Sequence, residues 1–165
     1  VNFFGALNCI QAVLPSMRTA KSGHIVNVSS VAAPIAIPFQ SFYSATKAAV
    51  NSLTLALRNE VKPFGVKVCA VLPGDVKTGF TAARKKSAAG EDVYGKALEH
   101  AVAVMEHDEQ TGMPPEKVAK AVLHAAGERN PRAFRTVGAS YQLFVFLAKV
   151  LPATWTNALV GLIYR

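Results

Sequence analysis

The sequence predicts an α/β protein, a doubly wound parallel sheet with helices on both faces. Two short runs, residues 24–28 and 66–72, are β-branched, apolar and bounded by turn residues, the pattern of strands covered on both sides. Longer stretches around them place apolar side chains at helical spacing. Each strand also ends in small or turn-forming residues, Ser29-Ser30 and Pro73-Gly74, at the carboxyl edge where sheets of this class bind ligands. With 165 residues, 51% apolar and 17% charged, the chain can bury one core.

The elements follow in order. Residues 2–20 carry Phe3, Leu7, Ile10, Leu14 and Met17 on one helical face, with Pro15 expected to kink the final turns. Asn2 stands at the start of this helix, a position open to a capping residue or an ordinary polar one. After Lys21-Ser22-Gly23 comes the strand at 24–28, then a loop, 31–40, containing Pro34 and Pro38. Its apolar composition suits the wall of a hydrophobic substrate pocket better than a surface connection. Residues 41–61 form the strongest helix, rich in Ala and Leu and ending before Pro63 and Gly65. Its small residues Ala45, Ala48, Ala49 and Ser52 permit close helix packing.

The strand at 66–72 stops at Pro73-Gly74. From 79 to 112 periodicity fades, and the segment reads as a polar connection longer than most ordered ones. Met113-Pro114-Pro115-Glu116 opens a helix to about Gly127, with proline in its first turn, and residues 133–137 make a short final strand. Residues 138–164 contain one charge, Lys149, and are broken by Pro152, Thr154, Thr156 and Asn157. Two short helices that cover the pocket or rest on a membrane surface fit this tail better than one membrane span, which needs about 20 predominantly apolar residues. The expected organisation is therefore an α/β portion, 1–137, and an apolar helical extension, 138–165.

Chemistry concentrates between Asn27 and Lys47. Tyr43 and Lys47 are four residues apart, so on a helix they share a face. An ammonium beside a phenol favours the phenolate and lowers a pKa that starts near ~10, towards the range of a general acid/base. Ser30, at the mouth of the preceding strand, can offer its hydroxyl to the same substrate oxygen. Ser29 reads as a structural turn residue.

Ser30, Tyr43-x-x-x-Lys47 and Pro73-Gly74-Asp75-Val76-Lys77-Thr78 together resemble the active-site half of the short-chain dehydrogenases/reductases, over residues 2 to about 136. The resemblance implies a partial Rossmann-type fold and NAD or NADP as cofactor. It implies Asn2, Ser30, Tyr43 and Lys47 as the catalytic set. Asn2 would hold a water of the proton relay, Ser30 the substrate oxygen, and Lys47 the nicotinamide ribose. Tyr43, Lys47, Pro73, Gly74, Val76 and Thr78 would contact the cofactor, the last two through its carboxamide. A homodimer or homotetramer through the helices at 2–20 and 41–61 is implied as well. The family's glycine-rich dinucleotide turn has no counterpart among the eleven glycines, and the chain opens on Val1-Asn2, so it reads as the C-terminal portion of a larger protein.

Composition narrows the alternatives. The net charge of +8 is scattered, with one run, Arg84-Lys85-Lys86, which reads as a solvated loop, so no nucleic-acid partner is expected. His100 and His107, beside Glu99, Glu106 and Asp108, lack the i,i+4 spacing of helical metal ligands and read as a polar face; no metal is expected. Cys9 and Cys69 form no disulfide or metal pattern, which points to a reducing cytoplasm, with peripheral membrane contact through the tail. The expected activity is reversible hydride transfer between an alcohol and a carbonyl, on an apolar small molecule. The alternative is a catalytically inactive relative serving as a binding or membrane-associated module. A serine hydrolase is disfavoured, since no G-x-S-x-G surrounds Ser30.

Overall fold

A computed structural model describes residues 1–83 and 90–164; the Arg84-Lys85-Lys86 run lies outside the described residues. The element order is α1 (Phe4–Ala20), β1 (Gly23–Val28), α2 (Ser41–Glu60), a 3₁₀ turn (Lys62–Phe64), β2 (Val66–Pro73), α3 (Phe80–Ala83), α4 (Glu91–Thr111), α5 (Pro115–Gly127), β3 (Phe134–Val137), α6 (Ala139–Val150) and α7 (Ala153–Ile163). The three strands form one parallel sheet in the order β1-β2-β3, with Gly23 opposite Val66 and Ala70 opposite Phe134.

Strand periodicity of two divides the core into two layers. Ile25 of β1 and Val66 and Val68 of β2 face Ile10, Leu57 and Val61, so α1 and α2 cover one side of the sheet. Val26, Cys69, Val71 and Val137 face Val118, Ala121, Val122 and Ala125, so α5 covers the other. The central strand is accordingly the driest part of the described chain: Val68, Ala70 and Val71 are fully buried.

Polar clamps fix the alignment of these layers. Asn27 donates to Thr54 Oγ1 at 2.9 Å, and Thr54 donates to the Val50 carbonyl at 2.7 Å, all within the buried seam between β1 and α2. Arg58 reaches under the sheet to the carbonyls of Val68 and Pro131, both at 2.7 Å. α1 runs through Pro15 and ends on Lys21 in a left-handed turn (φ 50°), whose amide and that of Ser22 bond the carbonyls of Arg18 and Met17.

The segment after Gly79 departs from expectation. In place of a long polar connection it contains α4, a helix of 21 residues. Ala101, Met105 and Glu109 are its buried positions. They recur every four residues as a stripe one side chain wide. A small, a flexible and an acidic residue give that stripe too little hydropathy to stand out from the charges around it. The tail folds as two helices, α6 and α7, and among the described residues no helix is long and apolar enough to cross a membrane.

Candidate active site

A cavity of about 890 Å³ opens at the carboxyl ends of β1 and β2. Asn2, Ser30, Tyr43, Lys47, Pro73, Gly74, Val76 and Thr78 all line it, so residues from several separate elements share one cleft. Ile35 and Ile37 from the loop after β1 line the same space, in keeping with a hydrophobic wall there.

The fold brings the central trio together through two short paths. Tyr43 lies in the first turn of α2 and Lys47 one turn further on. The end of β1 is tied to α2 by the Ser29 hydroxyl, which donates to the Lys47 carbonyl at 3.2 Å. The Lys47 ammonium donates to the Val28 carbonyl at 2.9 Å and sits 5.7 Å from the centre of the Tyr43 ring. Ser30 is buried, and its Oγ accepts the Ala32 amide at 3.1 Å, which leaves the hydroxyl proton to point elsewhere. Ser30 stands close enough to the Tyr43 phenol to pull its pKa down.

Electrostatics differ here from the sequence expectation. The Tyr43 phenol is held above its ordinary pKa, first by burial, while the Ser30 hydrogen bond pulls it down and the negative charges of Glu109 and Asp75 push it up. Burial likewise lowers the pKa of Lys47. The ammonium is committed to a strand carbonyl, and two carboxylates of the same cavity act on the phenol. Proximity of an opposite charge in sequence therefore does not decide the sign; desolvation does.

The remaining sequence candidates occupy less enclosed positions. Asn2 is exposed at the cavity rim, and the N-cap position of α1 belongs to Phe3, with no side-chain cap. Thr78 is also exposed, its Oγ1 accepting the Phe80 amide at 3.2 Å at the start of α3. The turn between them is firmly held: Val76 bridges Met113, with the Met113 amide on the Asp75 carbonyl at 2.9 Å and the Lys77 amide on the Met113 carbonyl at 3.0 Å.

Several lining residues had no role in the sequence reading. Asp108 and Glu109, assigned there to a solvated face or passed over, turn into the cavity from α4, and burial raises the Asp108 pKa. Tyr141 on α6 donates to Asp75 Oδ2 at 2.6 Å, and Tyr164 also lines the cavity. Burial, followed for Tyr141 by its bond to Asp75 and for Tyr164 by the Asp75 charge, pushes both phenols up to about 12. The four-residue recurrence of Ala101, Met105 and Glu109 was the available signal for Glu109. Nothing local marks Tyr141. His100 and His107 stay exposed, and no cluster of three metal-ligating side chains occurs among the described residues.

The donors present suit one end of a dinucleotide. Lys47, Tyr43 and the backbone beyond Pro73 line the mouth of the sheet. The described residues carry no glycine-rich turn for a pyrophosphate.

Comparison with known proteins agrees with this arrangement. A family model described as short chain dehydrogenase matches residues 1–89. The chain is 44% identical over 138 residues to a 3-ketodihydrosphingosine reductase of Bacteroides thetaiotaomicron, covering 82% of this chain and 51% of that protein. It is 36% identical over 151 residues to dehydrogenase/reductase SDR family member 7B of Xenopus tropicalis, covering 92% of this chain and 45% of the relative. A short chain dehydrogenase from Burkholderia cenocepacia, solved in complex with NADP, superposes with a TM-score of 0.72 at 25% identity, covering 97% of this chain and 56% of that one. The chain thus spans about half the length of the curated relatives it matches. On the matched family model, the parallel sheet and the shared cleft of Ser30, Tyr43 and Lys47, the chain belongs to the short-chain dehydrogenase/reductase family.

Proposed function

We propose that the protein containing this chain reduces a ketone on a long apolar molecule, or oxidises the corresponding alcohol, with NAD or NADP. The observation that carries this reading is the convergence of Ser30, Tyr43 and Lys47 on one cavity whose far wall is apolar. NAD(P) would supply or accept the hydride. Tyr43 would give its proton to the carbonyl oxygen in reduction and take it back in oxidation. Ser30 would hold that oxygen, Lys47 the nicotinamide ribose, and Asn2 a water leading to solvent. Pro73, Gly74, Val76 and Thr78 would face the nicotinamide.

The substrate class follows from the walls. Phe144, Leu147, Leu159 and Ile163 from α6 and α7, with Leu151 between the two helices, offer an alkyl chain an apolar surface. Asp75, Asp108 and Glu109 line the same cavity and favour a cationic group near the carbonyl. A long-chain ketone such as the 3-ketodihydrosphingosine of the Bacteroides relative's name fits both features. The test is turnover of the native protein with NADH and NADPH on a series of ketones of increasing chain length. Rising kcat/KM with length supports the reading. Preference for small polar ketones, or no turnover with any of them, overturns it and favours the non-catalytic alternative.

Association at two surfaces belongs to the same reading. Phe4 and Phe42 project from α1 and α2, at 69% and 89% exposure, and suit contact with a second copy. Leu143, Phe146, Trp155 and Leu162 project from the tail helices and suit a membrane surface. The free thiols of Cys9 and Cys69 fit the cytoplasm. Sedimentation of the native protein with and without lipid vesicles distinguishes these contacts.

A further inference from the structure

Tyr141 makes more of the cavity than its place in an apolar tail suggests. Its hydroxyl donates to Asp75 at 2.6 Å, across 66 positions of sequence. Its ring lies against two glycines. A methyl group added at Gly74 would overlap the ring, and one added at Gly138, where φ is +99°, would fall 2.8 Å from Cδ2. Both backbones therefore come as close to the ring as a missing side chain allows. Gly138 follows Val137, whose strand partner is Pro73, so the last strand delivers α6 directly onto the Pro73-Gly74 turn.

Backbone bonds hold that turn as well. The Met113 amide bonds the Asp75 carbonyl and the Lys77 amide bonds the Met113 carbonyl. Gly112 is also pressed there, with a methyl group at its Cα 2.6 Å from the Asp75 carbonyl. Met113 thus fixes the main chain of 75–77, and Tyr141 fixes the Asp75 side chain and the Gly74 Cα.

We propose that Tyr141 is a positioning residue that locks the cofactor-facing turn at Gly74–Val76 to the substrate-side helix α6, acting through Asp75. It rests on the oxidoreductase reading for its kinetic consequence and on geometry alone for the lock. α6 also carries Phe144 and Leu147 into the cavity, so one helix bears both the substrate wall and the clamp on the turn. The same contact sets where the Asp75 charge stands relative to Tyr43. Tyr43 shares the cavity with Ser30 after β1, Lys47 on its own helix, Asp75 after β2, Asp108 and Glu109 on α4, Tyr141 on α6 and Tyr164 just after α7.

The test uses Tyr141→Phe, which keeps the ring between the glycines, and Asp75→Asn, alone and combined, in the native protein. The reporters are amide hydrogen exchange at Lys77 and Met113, and the KM for cofactor against kcat at saturation. Each single variant should speed exchange at both amides about tenfold and raise the cofactor KM several-fold. For Tyr141→Phe kcat should stay within about twofold, and in amide exchange the double variant should add nothing to either single one. Unchanged exchange with unchanged KM overturns the lock, as does a double variant that sums the single effects. Faster exchange in a protein that binds no dinucleotide overturns the oxidoreductase reading and leaves the lock standing. A fall in thermal stability without change in KM or in exchange at these amides also overturns it, because the contact would then serve packing only.

Discussion

The cavity has two walls of opposite character. One, from β1, β2 and the start of α2, is polar and is built from short stretches of sequence: Ser30 beside its strand, Tyr43 and Lys47 one helical turn apart. The other, from α6 and α7, is apolar and comes from the far end of the chain, with Tyr141 as its main polar contact with the turn after β2. Proton transfer requires groups placed to within a hydrogen bond, which local spacing on rigid elements provides. Binding an alkyl chain requires only dry area, which many sequences provide.

Substitutions should separate the walls cleanly. The largest effect is expected from Tyr43→Phe, which removes the proposed proton donor of the polar wall. Turnover should fall by about 10²–10⁴-fold while the melting temperature and cofactor affinity hold, and near-normal turnover would exclude Tyr43 from the chemistry.

Next comes Gly74→Ala, at the point where the walls meet. The added methyl has nowhere to go but the Tyr141 ring, so unfolding free energy should drop by about 1–3 kcal/mol in a denaturant titration. Stability equal to wild type would mean that α6 moves aside freely. On the apolar wall, Leu147→Ser should weaken binding of a long-chain ketone by roughly 1–2 kcal/mol, about tenfold in KM. A short ketone, which does not reach that wall, should show no change; equal losses for both would deny the wall its selective role.

The smallest effect is a displaced titration. Burial and the Glu109 and Asp75 charges raise the Tyr43 pKa, so Tyr43 stays protonated at neutral pH, the form that donates in carbonyl reduction. Difference absorbance between wild type and Tyr43→Phe should therefore place its ionisation above the ordinary value of ~10. A midpoint below that value would show that Lys47 outweighs the two carboxylates.

How legible these features were depended on how they are encoded. α2, β1 and β2 appear in the sequence because helix propensity, β-branched runs and the punctuation of Pro63, Gly65 and Pro73-Gly74 all act locally. α4 was obscured because its buried stripe is Ala101, Met105 and Glu109, which lacks the contrast that periodicity needs. Asp75 lay inside a motif, yet its partner Tyr141 sits 66 residues away, beyond any spacing rule. The Tyr43 environment was misjudged for the same reason: the lysine was visible four residues away, whereas the burial and the carboxylates come from other elements.

The sequence by itself determined the α/β alternation, the parallel strands, and the hydroxyl, phenol and amine gathered at their carboxyl edge. Each depends on interactions between near neighbours in the chain, whose geometry the backbone fixes. Only the tertiary structure decided which carboxylates face Tyr43, that Tyr141 clasps Asp75, and which side of the tail becomes the wall of the cavity. Those outcomes depend on packing between elements far apart in sequence, where burial sets the strength of a charge and the fit of a ring against a glycine sets the register.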